Sequence, residues 1–243
     1  MCDDVGVPDG KWRGWIEVPE PSMSGSGPWI DLSHTLSENV PRVPIVPAPH
    51  FRMWRKMPDF PANVTEMQMI VHLGTHVDAP RHFMPEGPSF DEIPLTRLYG
   101  PGVVWRFDVK PFDVIEPIHL QAQRPKLQRG DILMVDTGWS ERAGTEEYEH
   151  HPSLSKASAE WLVEQGIKML TVDFGTPEAA TEKRWPGWHW PVHHVLLSRG
   201  ILVAEHLRNL RLFAGRRVDA MLLGLSIKGS DGAPARVVAR AAG

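Results

Sequence analysis

Four side chains that can bind metals or carry protons lie within one short segment: His72, His76, Asp78 and His82. Imidazole and carboxylate groups bind zinc, manganese and iron(II), and imidazole also exchanges protons near neutral pH. Gly74 permits a sharp turn and Pro80 stiffens the exit, so the four side chains can approach one point. A lone histidine is more often a hydrogen-bonded polar group of the interior. Four such side chains within eleven residues instead indicate a metal site with open coordination positions, which is typical of catalysis.

A second group of such side chains occurs later in the chain: His189, His193, His194 and Glu205. His189 and His193 are four residues apart and would share one face of a helix. Tryptophan-rich turns often bury a histidine that binds nothing, so this group alone is weak evidence for a metal. It gains weight beside the first group, because a site with two ions needs ligands from other segments.

The composition also points to histidine chemistry. The chain has 243 residues, of which 12 are His, more than its 2 Tyr and 8 Phe together. Its single cysteine, Cys2, excludes an intrachain disulfide and a zinc cluster built on cysteines. With 42% hydrophobic and 23% charged residues, the sequence predicts a folded domain with a substantial core.

Charge and hydropathy argue against several classes of partner. The net charge of −4 gives no general reason to expect nucleic acid. The basic segment 207–243 is interpreted as a solvated face or the rim of a subunit interface. No apolar run approaches the roughly 20 residues of a membrane span, and the acidic N-terminus is unlike a signal peptide. We therefore expect a cytoplasmic protein whose partner is a small-molecule substrate rather than nucleic acid or a membrane.

The elements that must position these side chains are mostly strands. Residues 1–27 predict an acidic arm rich in Gly, Ser and Pro, and residues 28–243 a single domain. Strands are predicted at 29–32, 65–73, 103–109, 132–136, 167–173, 201–205, 220–227 and 236–239. One helix is predicted from a Ser155 cap to Gln165 with a stop at Gly166, and another from Pro191 to Gly200. Many strands with few helices predict a β-rich α/β domain with a curled or barrel-like sheet.

At this point the residues resemble a known family. The run from His72 to His82 resembles the HxGTHxDxPxH motif of the cyclase-like metal-dependent hydrolases, which include bacterial kynurenine formamidase and isatin hydrolase. Segments 30–33, 135–139, 171–173, 193–197 and 205–207 are also similar to that family. The resemblance implies a swivelling β/β/α domain with a curled, barrel-like mixed sheet. It also implies assembly as a homodimer or homotetramer.

The resemblance implies a ligand set and a mechanism. It assigns His72, His76 and Asp78 to a first divalent ion, with Asp78 able to bridge to a second. It assigns His193 and Glu205 to the second ion, with Glu205 also able to bridge. His193 matches better than His194, because the family's histidine lies twelve residues before that glutamate. The implied cofactor is one or two ions of Mn²⁺ or Zn²⁺, and His82 matches the family's general acid/base.

The implied reaction is hydrolysis of a C–N amide or lactam bond by metal-activated water, in a small, aromatic substrate. One departure bears on the substrate. Kynurenine formamidases carry a tryptophan in the loop after the first strand, and this chain has Val43 about there. An insertion around 49–61 holds Phe51, Trp54 and Phe60, which are interpreted as a different aromatic pocket or as core. A related amide, lactam or ester is therefore at least as good a candidate for the substrate as formylkynurenine.

Two functions other than that of a metal hydrolase can be weighed against the sequence. A member of the same fold that binds a metal or ligand without turnover would be a non-catalytic alternative. The presence of all five implied ligands and His82 argues against it. A serine hydrolase is disfavoured, because the chain has no GxSxG motif.

Overall fold

Strands dominate the regular structure of the computed structural model, which describes residues 12–243. In chain order the strands are β1 (Ile30–Asp31), β2 (His50–Arg55), β3 (Val64–Gln68), β4 (His76–Asp78), β5 (Tyr99–Arg106), β6 (Val114–Ile115), β7 (Ile132–Asp136), β8 (Ser153–Leu154), β9 (Met169–Val172), β10 (Leu202–Glu205), β11 (Arg217–Gly224) and β12 (Gly232–Ala241). The α-helices are α1 (Pro117–Ala122), α2 (Lys156–Gln165) and α3 (Pro191–Leu197). Within this part of the chain, no helix has the length and apolar character needed to cross a membrane.

The main sheet closes on itself and forms a barrel. Its strand order is β1-β12-β11-β5-β7-β9-β10-β4, and a further pairing of β12 with β4 joins the two sides. β4 is therefore the closing strand, antiparallel to both neighbours. This pairing sets His76 opposite Glu205 and Asp78 opposite Gly232. The predicted β-rich α/β class with a curled, barrel-like mixed sheet is confirmed.

Two cores lie on opposite faces of the barrel wall. β5, β7, β9 and β10 run parallel to one another, and β7 is buried along its whole length. Such strands read as continuous apolar runs because both faces are covered. Side chains alternate between the faces: Ile132 and Met134 join the barrel interior, whereas Leu133 and Val135 join the core that α2 and α3 cover.

The two predicted helices are present. Ser155 caps α2 by accepting a hydrogen bond from the Ser158 amide, and Gly166 ends the helix in the left-handed conformation. α3 begins at Pro191, where the missing amide hydrogen costs nothing, and its last residue is Leu197, before the predicted Gly200.

The predicted strand over 65–73 is wrong beyond Gln68. β3 ends at Gln68 and pairs only with β2, forming a separate two-stranded hairpin. The chain then runs irregularly until β4 begins at His76. Gly74 makes the change of direction with φ +57°, and a Cβ there would lie 2.6 Å from Val40 Cγ2. Alternation of Met67 and Met69 looks like a half-buried strand, but the hairpin leaves Met67 largely exposed.

Residues 12–27 of the predicted arm run along the domain. The Ile16 amide donates to the Arg199 carbonyl, and the Gly25 amide donates to the Asp219 carboxylate. The Arg97 guanidinium lies 4.8 Å from the Trp15 ring centre. Residues 1–11 of the arm lie outside the described residues. The division into an arm and one domain stays a prediction.

Candidate metal centre

The histidines and acids that the sequence singled out lie close together at the barrel seam, the place where β4 pairs with β10 and β12. His76 and Asp78 lie on β4, Glu205 ends β10, and His193 is the third residue of α3. His72 approaches from the irregular segment before β4. Three of these residues, His76, Asp78 and His193, are no more than 3% exposed. Residues that are far apart in sequence therefore converge because β4 closes the barrel against β10.

The two carboxylates each present one oxygen to each side of the cluster. His76 Nε2 lies 3.4 Å from both Asp78 Oδ1 and Glu205 Oε2. On the other side, His193 Nε2 lies 3.5 Å from Asp78 Oδ2 and 3.3 Å from Glu205 Oε1. Two ligand atoms about 2.1 Å from one tetrahedral ion are about 3.4 Å apart. The spacing therefore suits ions between these atoms better than direct hydrogen bonds.

An unsatisfied atom supports the same conclusion. His76 Nε2 is buried and makes no hydrogen bond among the described residues, whereas its Nδ1 lies 2.8 Å from the Gly74 carbonyl oxygen. A carbonyl oxygen only accepts, so Nδ1 carries the proton and Nε2 presents a lone pair. A buried nitrogen of this kind needs a partner. A divalent ion fits this donor set of imidazoles and carboxylates.

Carboxylates contact the candidate ligand histidines His193 and His72. Glu178 Oε1 accepts from both the amide and Nδ1 of His193, at 2.9 and 3.0 Å. That arrangement also satisfies an amide of the first turn of α3. On the other side, Asp231 Oδ2 lies 2.9 Å from His72 Nε2, while His72 Nδ1 faces Asp78 at 2.8 Å. Such outer carboxylates set ring orientation in metal sites.

In this cluster, carboxylates and neighbouring imidazoles shift one another's pKa values towards their charged forms. Burial alone would lower the pKa of His72, but the Asp231 and Asp78 carboxylates outweigh it and raise that pKa to about 10. Burial would raise the pKa of Asp78, yet its close contacts with the His193, His72 and His76 rings hold that pKa well below its usual range. The pKa of Asp231 falls to about 2, chiefly through its hydrogen bond with His72.

His82 lies against the cluster and contacts the Asp231 carboxylate rather than Asp78 or Glu205. Its ring stacks on His72 with centroids 3.9 Å apart, and its Nδ1 is 3.3 Å from Asp231 Oδ2. Burial lowers the pKa of His82, and the neighbouring His72 and His193 add to the effect, against Asp78 and Asp231. The ring is therefore mostly neutral near pH 7 and can accept a proton.

The remaining candidates from the sequence lie elsewhere. Trp54 and Phe60 are 51% and 40% exposed at the β2–β3 hairpin, where both rings face Arg55. Phe51 pairs with Met67 across that hairpin. Their role in substrate binding stays a prediction. His194 makes an edge contact with Phe83, whose ring also stacks on His193, and it belongs to none of the groups of potential ligand atoms among the described residues.

Sequence reasoning missed three residues that complete the cluster. Asp231 contacts His72 and His82 from a turn 159 and 149 residues away. Glu178 is fully buried after β9, and a lone glutamate in that stretch carries no motif that announces its role. From the sequence no role was assigned to His206, yet this residue groups with His76 and Glu205. Its position directly after the candidate ligand Glu205 is the one available signal.

Known proteins are similar to this chain in sequence and in fold. The Cyclase family model matches residues 30–179. A kynurenine formamidase of Geobacillus thermodenitrificans is 30% identical over 219 residues, covering 89% of this chain and 99% of that protein. Among solved structures, isatin hydrolase A from Ralstonia solanacearum has a TM-score of 0.79 at 24% identity, over 87% of this chain and 91% of the other.

A second structure connects the fold with metal chemistry. A predicted metal-dependent hydrolase from Bacillus stearothermophilus has a TM-score of 0.71 at 26% identity, over 87% of this chain and 97% of that one. A closed barrel with histidines and carboxylates gathered at its seam, together with these relatives, defines a metal-dependent hydrolase. The chain belongs to the Cyclase family.

Asp231→Asn should show that this carboxylate positions His72 and His82. The amide cannot attract two imidazoles as a carboxylate does, so we expect kcat to fall about 10–100-fold. KM should change little. Asp231→Glu should restore part of the rate, and Asp108→Asn, at an exposed acid outside the site, should leave it unchanged. Steady-state kinetics decide the matter, and an effect confined to KM would contradict a positioning role.

Proposed function

We propose that the chain hydrolyses a C–N amide or lactam bond of a small aromatic substrate, with His82 as general acid/base. The observation that carries the proposal is the placement of Asp78 and Glu205, which each direct one oxygen to His76 and the other to His193. This arrangement suits two divalent ions, Mn²⁺ or Zn²⁺, held by His72, His76, Asp78, His193 and Glu205. Such ions polarise a carbonyl and lower the pKa of bound water.

The role of His82 follows from its contacts. If Asp231 accepts the Nδ1 hydrogen, Nε2 of His82 is left with a free lone pair. That nitrogen takes the proton of the attacking water and delivers it to the leaving nitrogen of the substrate. Stacking on His72 and the edge contact with Phe83 hold the ring beside the cluster. A well-placed base of this kind contributes about 10²–10⁴-fold to the rate.

Phe83 and Trp190 support the aromatic character of the substrate. The Phe83 ring contacts both His82 and His193. The ring centre of Trp190, which is 38% exposed, lies 6.2 Å from that of Phe83. Together they offer an apolar wall beside the reacting groups. Val43 lines a narrow cavity with Tyr148 and His206 and supplies no ring there. The proposal therefore favours an isatin-like lactam or another aryl amide over a substrate that needs a tryptophan from that loop.

The test is metal analysis combined with a hydrolysis assay. Purified protein should contain one or two equivalents of divalent metal per chain. It should hydrolyse at least one of isatin, N-formylkynurenine and small aromatic cyclic amides. A chelator should abolish turnover, and Mn²⁺ or Zn²⁺ should restore it. Full activity without metal would overturn the proposal. Metal binding without hydrolysis of any of these compounds would favour the non-catalytic alternative.

We also propose that the chain assembles as a homodimer or homotetramer through the β2–β3 hairpin. Five large apolar side chains of this hairpin are 40–53% exposed: Met53, Trp54, Met57, Phe60 and Met67. An exposed apolar patch of this kind commonly marks an interface. Light scattering should give a mass of two or four chains, and Trp54→Glu should shift it towards the monomer. A monomeric wild-type protein would contradict the assembly.

A further inference from the structure

We propose that His206 is an additional ligand of the ion that His76 and Glu205 would hold, an inference that rests on the metal site proposed above. His206 directly follows Glu205 and is 1% exposed. Its φ of +56° lies in the left-handed region, where a Cβ approaches the following carbonyl oxygen and glycine is favoured. A histidine in this conformation is a strained choice, and such strain concentrates at functional sites.

The backbone of His206 is held on both sides. Its amide donates to the Phe174 carbonyl at 3.0 Å, and its own carbonyl accepts from the Thr75 hydroxyl at 2.7 Å. Thr75 is the residue before His76, so this bond connects the loop after β10 to the start of β4. The backbone from which the His206 side chain projects is therefore fixed relative to β4.

The ring of His206 has one satisfied nitrogen and one orphan. Nδ1 lies 2.8 Å from the Tyr148 hydroxyl, and the rings stack. Nε2 is buried and has no hydrogen-bond partner among the described residues. A phenol oxygen can accept the Nδ1 hydrogen, which leaves a lone pair on Nε2. An outer partner of this kind is what ligand histidines have in metal sites.

The orphan nitrogen belongs to a group of potential ligand atoms. One atom from each of His76, Glu205 and His206 lies within 4.8 Å of the others. His76 Nε2 is the second buried nitrogen here without a partner. Two unsatisfied imidazole nitrogens beside one carboxylate make a site for a divalent transition metal. A third imidazole near this ion favours zinc or cobalt over the oxygen-preferring manganese.

His206→Gly separates a ligand from a structural residue. Glycine accepts the left-handed conformation. The thermal unfolding midpoint of the metal-free variant should therefore lie within a few degrees of that of metal-free wild type, or above it. Its Zn²⁺ affinity, measured by competition with a chromophoric chelator, should fall at least tenfold for one ion, with a smaller loss for Mn²⁺. The visible spectrum of the Co²⁺-loaded protein should change, and added imidazole should partly reverse it.

Two other variants sharpen the experiment. Asn209→Gly changes another left-handed residue, φ +62°, three positions away, and should leave Zn²⁺ affinity and the Co²⁺ spectrum unchanged. His206→Asn keeps a residue that tolerates this conformation and should reproduce the loss if the glycine variant fails to fold. Unchanged affinity and spectrum in the His206 variants would overturn the inference while leaving the metal site intact. A wild-type protein that binds no divalent metal would overturn both.

Discussion

His82→Ala should lower turnover by about 10²–10⁴-fold while the protein keeps its metal. His82 stacks on His72 and contacts Asp231, but among the described residues it joins no group of potential ligand atoms with Asp78 or Glu205, as the proposed ligands His76 and His193 do. Its loss would remove the proposed base and none of the proposed metal ligands. The measurement pairs steady-state kinetics on the best substrate with metal content per chain.

His194→Ala is the matched control for that experiment. His194 also packs on Phe83 and lies next to His193, yet its ring takes no part in the ligand groups. We expect it to retain both metal and most of the rate. Wild-type turnover in the His82 variant would remove His82 from the mechanism. Loss of metal in the His194 variant would instead show that α3 supplies its ligand from His194.

Asp78→Asn should remove most bound metal and bring activity below detection. Asp78 is 1% exposed, and its two oxygens serve His72 and His76 on one side and His193 on the other. Asparagine keeps the shape but loses the negative charge and one acceptor. Removing one partner of a buried ion pair costs about 3–5 kcal/mol, so the metal-free protein should also lose stability. Metal analysis and urea unfolding provide the two measurements.

Asp131→Asn controls for the general cost of removing a buried acid. Asp131 is as buried as Asp78 and pairs with Arg217 away from the seam. This variant should lose stability and keep its metal. If Asp78→Asn kept a full complement of metal, the bridging arrangement would be wrong even if the protein were less stable.

Local features of the fold were predictable from sequence. The strand at 132–136 and the helix from Lys156 to Gln165 appear within a residue of the predicted bounds. In these segments the signals, an apolar run and the residues that cap a helix, lie within a few neighbouring residues. The local preference for strand or helix therefore agrees with the element that packs in the folded domain. The stretch after Gln68 was not predictable in this way. The alternation of apolar and polar residues there comes from the exposed β2–β3 hairpin. Gly74 then turns the chain into β4, whose pairing with β10 and β12 exists only in the closed barrel.

The residue types and spacing by themselves indicated the kind of site: histidines and acids within a few residues of one another are typical of divalent-metal binding. The tertiary structure decided which groups act on one another. Closure of β4 against β10 and β12 brings Glu205 opposite His76 and carries Asp231 to His72 and His82. Those contacts span well over a hundred residues and arise from strand register. A single sequence does not display register between distant strands, because it depends on how the whole sheet closes.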